Sequence, residues 1–439
     1  MVFAGLPSGI RSFTGRKVVV GSIKEKISSI RKSKDAKAVA GNFMWLSVLQ
    51  VASYAFPLIT MPYLARVIGV EGFGKIAFAS AIMVWIQTIA DWGFNLTGTR
   101  DVAQNRDNPQ KVSEIFSNVL WARCLLMLIA LGVLLLLIGI VPKFRDEWEV
   151  ILVTFLMIPG HILFPDWFFQ AMEDMKYITI LNVLMKSLCT LAVFVFIKQP
   201  SDYILQPLFI SLGYVGSGII ALFIIMGKWH IRLKKTSFVE VVKTIKCSTD
   251  VFINHLMPNL YNSFSTLLLG FVGGENSVGV LDAGNKFIHV GTQLQASINR
   301  AFYPFLSRNL SKHRFYVFIN VGISILMCIV LYIGAPLLVK YMLSTEFSES
   351  LHVIRIRAIS LIFSAISSAY GANYLIIKHR ESTLRKITMW CSIIGFIIAW
   401  PLVCNYSYIG ASLTVSISLA LLAFTSFMVS NKISNKLER

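Results

Sequence analysis

Hydrophobic residues run through this chain in about twelve blocks of roughly 20 residues, separated by short polar loops, and a block of that length crosses a bilayer as one helix. The blocks lie at 41–65, 73–94, 116–141, 149–170, 177–197 and 203–227, then at 249–271, 278–299, 315–339, 353–377, 387–403 and 410–430. Backbone immersed in lipid must satisfy its own hydrogen bonds, so the pattern predicts an all-α polytopic membrane protein. The longest internal loop, 228–248, divides the blocks six and six. The expected architecture is therefore two six-helix lobes around a central cavity: an N-lobe at 41–227 and a C-lobe at 249–430, joined by 228–248 as a basic cytoplasmic linker. Because six is even, both lobes run in the same direction and could be related by an axis along the bilayer normal. The junctions Ile68-Gly69-Val70-Glu71-Gly72-Phe73-Gly74 and Val272-Gly273-Gly274-Glu275, the latter followed by Gly279, faintly echo one another. Glycines are expected in any tight turn, so this repeat signal is weak by itself.

Composition agrees with burial in lipid: 55% of the 439 residues are hydrophobic and 14% charged, whereas a soluble domain carries about a quarter charged residues. The net charge of +19 is the kind that suits nucleic acid, but in a membrane protein it arises from cytoplasmic loops rich in Lys and Arg. With a cytoplasmic N-terminus, 30 of the 41 Lys and Arg fall on the cytoplasmic side. This bias excludes a nucleic-acid partner and predicts that both termini, including the tail 431–439, are cytoplasmic. Residues 1–40 form a basic extension, in which Ile23, Ile27 and Ile30 at helical spacing fit either an amphipathic helix on an anionic surface or a solvated tail. The six cysteines are scattered and fit packing, not zinc or disulfides.

No catalytic residue, metal site or cofactor is called for. The chain lacks a phosphate-binding glycine loop, a His-Glu-x-x-His helix and a Gly-x-Ser-x-Gly elbow, and its short external loops leave no room for an enzymatic domain. What remains is charge inside the blocks, which is costly unless it meets a partner or a water-filled cavity. Lys186 has no acid within helical reach and is expected to face a cavity. Lys286 follows Asp282 by four residues, with His289 on the same helical face. Either the pair closes a salt bridge within one helix, or Lys286 faces the cavity and Asp282 tunes it.

Arg123, near a cytoplasmic helix end, is expected to snorkel to headgroups. Arg355 and Arg357 point in different directions, so at most one faces the cavity. Arg66 closes the first block and meets phosphate at the outer mouth, from lipid or from a substrate. Asp91 and Asp166 sit among aromatics at cytoplasmic helix ends. They are either solvated or gate residues pairing with Arg100 or Lys176. The candidate cationic binding set is thus Lys186, Lys286, Arg66, Arg123 and Arg357, and the gating or coupling set is Asp91, Asp166, Asp282 and His289. Prolines at 57, 62, 159, 165, 258 and 304 are candidate bends.

Asn42-Phe43, Gln50, Tyr54, Pro57-Leu58, Met61-Pro62-Tyr63-Leu64, Arg66-Val67-Ile68-Gly69, Asp91 and Gly93-Phe94-Asn95 resemble the start of Wzx-type O-antigen flippases. Phe164-Pro165-Asp166-Trp167-Phe168-Phe169-Gln170, with Lys176-Tyr177-Ile178-Thr179, is similar to the most recognisable stretch of that family. The resemblance implies the multidrug, oligosaccharidyl-lipid and polysaccharide exporter superfamily, and a bacterial inner-membrane protein. It implies movement of an undecaprenyl-diphosphate-linked oligosaccharide from the cytoplasmic to the periplasmic leaflet, with an O-antigen polymerase and a chain-length regulator as candidate partners. It transfers no individual site residue. Rival readings are a flippase for another lipid-linked glycan (enterobacterial common antigen, capsule or lipid II), an O-antigen polymerase, and a cationic drug exporter. The short outer loops oppose the polymerase, and the excess of interior cations opposes the drug exporter.

Overall fold

The computed structural model describes residues 34–437, so the reading of Ile23, Ile27 and Ile30 falls outside it. Every regular element among the described residues is helical. The N-lobe is built from α1 (Lys34–Val67), α2 (Gly69–Asp91), α3 (Phe94–Gln104), α4 (Pro109–Ile140), α5 (Trp148–Phe155), α6 (Met157–Leu163), α7 (Asp166–Ala171), α8 (Lys176–Phe196) and α9 (Leu205–Lys228). The second half holds α10 (Phe238–Leu256), α11 (Ser263–Val272), α12 (Gly274–Arg308), α13 (His313–Met342), α14 (Ser350–Tyr370) and α15 (Glu381–Leu437).

Nine helical stretches among the described residues are long and apolar enough to cross a membrane. Six of them answer the six blocks expected of the N-lobe. The fourth is broken at Leu156 and again at Phe164–Pro165, where proline removes a backbone donor. In the second half the even spacing of blocks gives way. α15 is two helices joined at Ser407 (φ 51°, ψ −130°), and the chain reverses so tightly there that a Cβ on Gly410 would sit 1.9 Å from the Leu402 carbonyl oxygen. α12 has 35 residues, about 52 Å at 1.5 Å per residue, but its polar side chains keep it out of the apolar set.

The expected seventh block, 249–271, is not one helix. A 3₁₀ turn at Met257–Leu260, containing Pro258, separates α10 from α11. α10 and the strand of chain before it belong to the N-lobe by contact. Ser113 and Ser117 hydroxyls accept from the Arg232 and Lys234 amides at 3.2 and 2.9 Å, and Trp121 Nε1 donates to the Lys234 carbonyl at 3.2 Å. Farther along, Trp92 stacks on Phe252 with centroids 3.8 Å apart, and the Thr97 and Ser248 hydroxyls share a hydrogen bond of 2.8 Å. By these contacts α10 packs on the N-lobe, ahead of the 3₁₀ turn at Met257–Leu260.

In the aromatic run 164–169, Trp167, Phe168 and Phe169 are 1%, 0% and 0% exposed. They form the N-lobe core with Phe116 and the partly buried Trp229.

The lobes touch along α2 and α12. A Cβ on Gly74 would lie 1.9 Å from the Glu275 carbonyl oxygen, and one on Gly279 would lie 2.3 Å from that of Val70. Only glycine permits backbones this close.

Candidate functional site

Beside this crossing, a cavity of about 420 Å³ opens between α1, α2, α8 and α9 of the N-lobe and α12 of the opposite lobe. Its polar lining includes Ser80, Asn182, Lys186, Gln206, Asp282 and Lys286. Lys186 projects from α8, and its Nζ donates to Ser53 Oγ at 2.7 Å. Among the described residues no carboxylate forms an ion pair with it. Lys286 pairs with Asp282 at 2.9 Å and lies 3.8 Å from the Phe73 ring centroid. The acid and base close a bridge one turn apart on α12, and both line the cavity. His289 is exposed farther along the same helix, in the field of Asp282, Lys286 and Arg357.

The remaining predicted cations are not in this cavity. Arg123 does not snorkel; its side chain is 3% exposed, and one guanidinium nitrogen donates to both the Asp91 carboxylate and Asn95 Oδ1. It faces into the N-lobe because α4 packs against α2 there, so the acid that neutralises it comes from the neighbouring helix. Asp91 is accordingly neither a solvated helix-end acid nor a gate partner of Arg100 or Lys176, which pair instead with Asp101 and Asp174. Asp166 is half-buried, accepts the Trp167 amide at 2.8 Å, and lies in the field of Arg123 and Asp91. His161, in the field of the same Asp91 and Arg123, has its ring centroid 4.0 Å from that of Tyr214.

Arg357 is 7% exposed and donates to Asn285 Oδ1 at 3.1 Å, inside the C-lobe. Arg355 points elsewhere, 5.1 Å from the Tyr332 ring, as expected for residues two apart on a helix. Arg66 is exposed and donates to the Tyr341 carbonyl of the other lobe at 2.9 Å.

Sequence reasoning missed the groups that bridge the lobes. At the basic end, Gln50 Nε2 donates to Gln293 Oε1 at 3.1 Å and Arg300 reaches Gln50 Oε1 at 3.4 Å. Lys286, Gln293 and Arg300 recur every seven residues, one helix face, a signal that ending the eighth block at 299 concealed. At the other end, Lys143 pairs with Glu275 and the Val70 amide donates to Glu346 Oε2 at 3.0 Å across the lobes, while Lys75 pairs within the N-lobe with Glu71 at 2.9 Å and with Glu147 at 3.8 Å. The charged locks between lobes thus sit at the end away from the basic linker. There, burial pushes the Glu147 carboxyl above the usual carboxylate range despite the nearby Lys75. Burial also pushes Glu275 up, but the hydrogen bond from Lys143 and that of its own amide outweigh this and leave it lowered.

Two helical lobes flanking a cation-bearing cavity define an all-α polytopic membrane protein. The backbone superposes on lipid II flippase MurJ in an inward closed conformation with a TM-score of 0.70 at 14% identity, covering 88% of this chain and 87% of that one. It superposes on a MATE family multidrug resistance transporter of the MOP superfamily, inward-facing, with a TM-score of 0.69 at 14% identity, covering 90% and 99%. In sequence, a protein of Escherichia coli (strain K12) described as "Putative O-antigen transporter" is 28% identical over 404 residues, 90% of this chain and 97% of that one. Residues 39–310 match the polysaccharide biosynthesis protein family. The chain belongs to that family.

Proposed function

We propose that this protein is a flippase that carries an undecaprenyl-diphosphate-linked O-antigen repeat unit from the cytoplasmic to the periplasmic leaflet by alternating access. The observation that carries the reading is Lys186, a cavity-lining cation whose one hydrogen-bond partner among the described residues is the Ser53 hydroxyl. A diphosphate is the complementary ligand. Opposite charges about 4 Å apart gain on the order of 4 kcal/mol at an effective dielectric of 20, enough for a few cations to offset dehydration of the headgroup.

Lys286 is held in reserve by Asp282, and a phosphate oxygen arriving from Lys186 would compete with that carboxylate. Arg300, near the basic end, serves as the first cation met on entry from the cytoplasm, and the isoprenoid tail stays in lipid. The O-antigen transporter named among the relatives supports the choice of cargo, and the likeness to the MurJ fold supports the two-lobe mode of movement. Deleting the gene is expected to leave single lipid-linked repeat units facing the cytoplasm and to remove surface O-antigen. Unchanged surface glycan in the deletion strain refutes the assignment.

A further inference from the structure

The end of the bundle where α2 and α12 cross also opposes two acids from different lobes. Glu147, just before α5, lies 3.8 Å from Lys75, while Glu275, in the first turn of α12, pairs with Lys143 and sets its backbone against Gly74, so the two carboxyls lie in each other's field across the lobes. Glu147 is 7% exposed. The groups around the pair are Lys75 and Glu71 from α2, Lys143 from the short helix Pro142–Asp146, and Tyr203 from the chain entering α9, itself within range of Glu149. Glu346, from the opposite lobe, is engaged by the Val70 amide, and Arg66 by the Tyr341 carbonyl. Fully ionised, Lys75 and Lys143 face Glu71, Glu147 and Glu275, one negative charge in excess. Two carboxylates opposed in a buried interface repel, and a single proton between them turns that repulsion into a hydrogen bond.

We propose that Glu147 and Glu275 form a proton-operated latch between the lobes: the shared proton holds this end closed, and its loss loosens the seal. The sign follows from linkage. Closure buries Glu147 and raises its proton affinity, so protonation favours the closed arrangement, and that contribution is lost as pH rises through the raised value. The Lys143–Glu275 pair and the glycine contacts persist, so the latch weakens without vanishing. In the orientation that the charge bias predicts, this end faces the outer compartment, and outer protons favour return to the inward-open state. The latch rests on the alternating-access reading, but its test measures distance and needs no substrate.

Spin labels at Arg145 and Ser348, both exposed and on opposite lobes, in a cysteine-free variant that still supports surface glycan, report the width of this end by dipolar spectroscopy. Between about pH 5 and about pH 8 the short-distance population is expected to fall severalfold. Glu147→Gln, an amide that donates to Glu275 at every pH, is expected to hold the short distance throughout, and Glu275→Gln to remove the pH dependence. A distribution in the unsubstituted background that ignores pH overturns the latch, as does a Glu147→Gln or Glu275→Gln protein that still shifts with pH. Because the readout is a distance, a failed latch is distinguishable from a failed assignment of cargo.

Discussion

Gly74 and Gly279 meet the opposite lobe in the same way: each lies against a carbonyl oxygen, of Glu275 and of Val70, at 1.9 and 2.3 Å from an added Cβ. Gly69 and Gly274, five residues before each, both adopt left-handed φ, 67° and 73°. The two contacts exchange equivalent positions, as self-complementary contacts do across a two-fold axis. The faint glycine echo in the sequence is the trace of that pairing.

Gly74→Ala and Gly279→Ala should therefore each force the lobes apart, at a cost of about 1–3 kcal/mol for overpacking. The expected result is a lower melting temperature of the purified protein and entry of an impermeant thiol reagent from the outer side to Ser80→Cys in the cavity. Gly132→Ala, where an added Cβ meets nothing within 4 Å, should do neither.

The buried Asp91–Arg123 pair makes a stability prediction. Removing one partner strands a charge inside the N-lobe, so Arg123→Leu or Asp91→Leu alone should destabilise by roughly 3–5 kcal/mol, and the double substitution should recover much of that loss. Thermal unfolding of the purified variants measures it. Equal melting temperatures for both single variants and the parent would show that the pair is solvated.

If α10 travels with the N-lobe, fixing it there should be harmless. A Thr97→Cys/Ser248→Cys bridge, replacing hydroxyls 2.8 Å apart, should leave surface glycan intact when oxidised. A Lys143→Cys/Glu275→Cys bridge across the lobes should abolish it until reduced. Loss of glycan in the first case would return α10 to the moving C-lobe.

The N-lobe spans were legible because lipid imposes length and apolarity on each helix separately, and those are local properties. Lys186 and Lys286, which both line the cavity, could be singled out for the same reason: a charge within an apolar block is visible from position alone. Arg123 was misread because depth does not reveal which face of α4 it occupies, and its partner Asp91 lies on another helix. α10 was misread because an amphipathic helix beneath a lobe and the start of a membrane span look alike where both are half apolar. The bridging pairs Lys143–Glu275 and Gln50–Gln293 join residues far apart in sequence, so only the packing of the lobes brings them together.

The central claim is that cavity lysines hold a diphosphate, and binding of undecaprenyl diphosphate to the purified protein in lipid nanodiscs tests it most directly. Lys186→Gln and Lys286→Gln should each weaken binding at least about tenfold, the equivalent of roughly 1.4 kcal/mol, while Lys340→Gln, outside the cavity lining, leaves it unchanged. Affinity unaltered by both cavity substitutions would contradict the account.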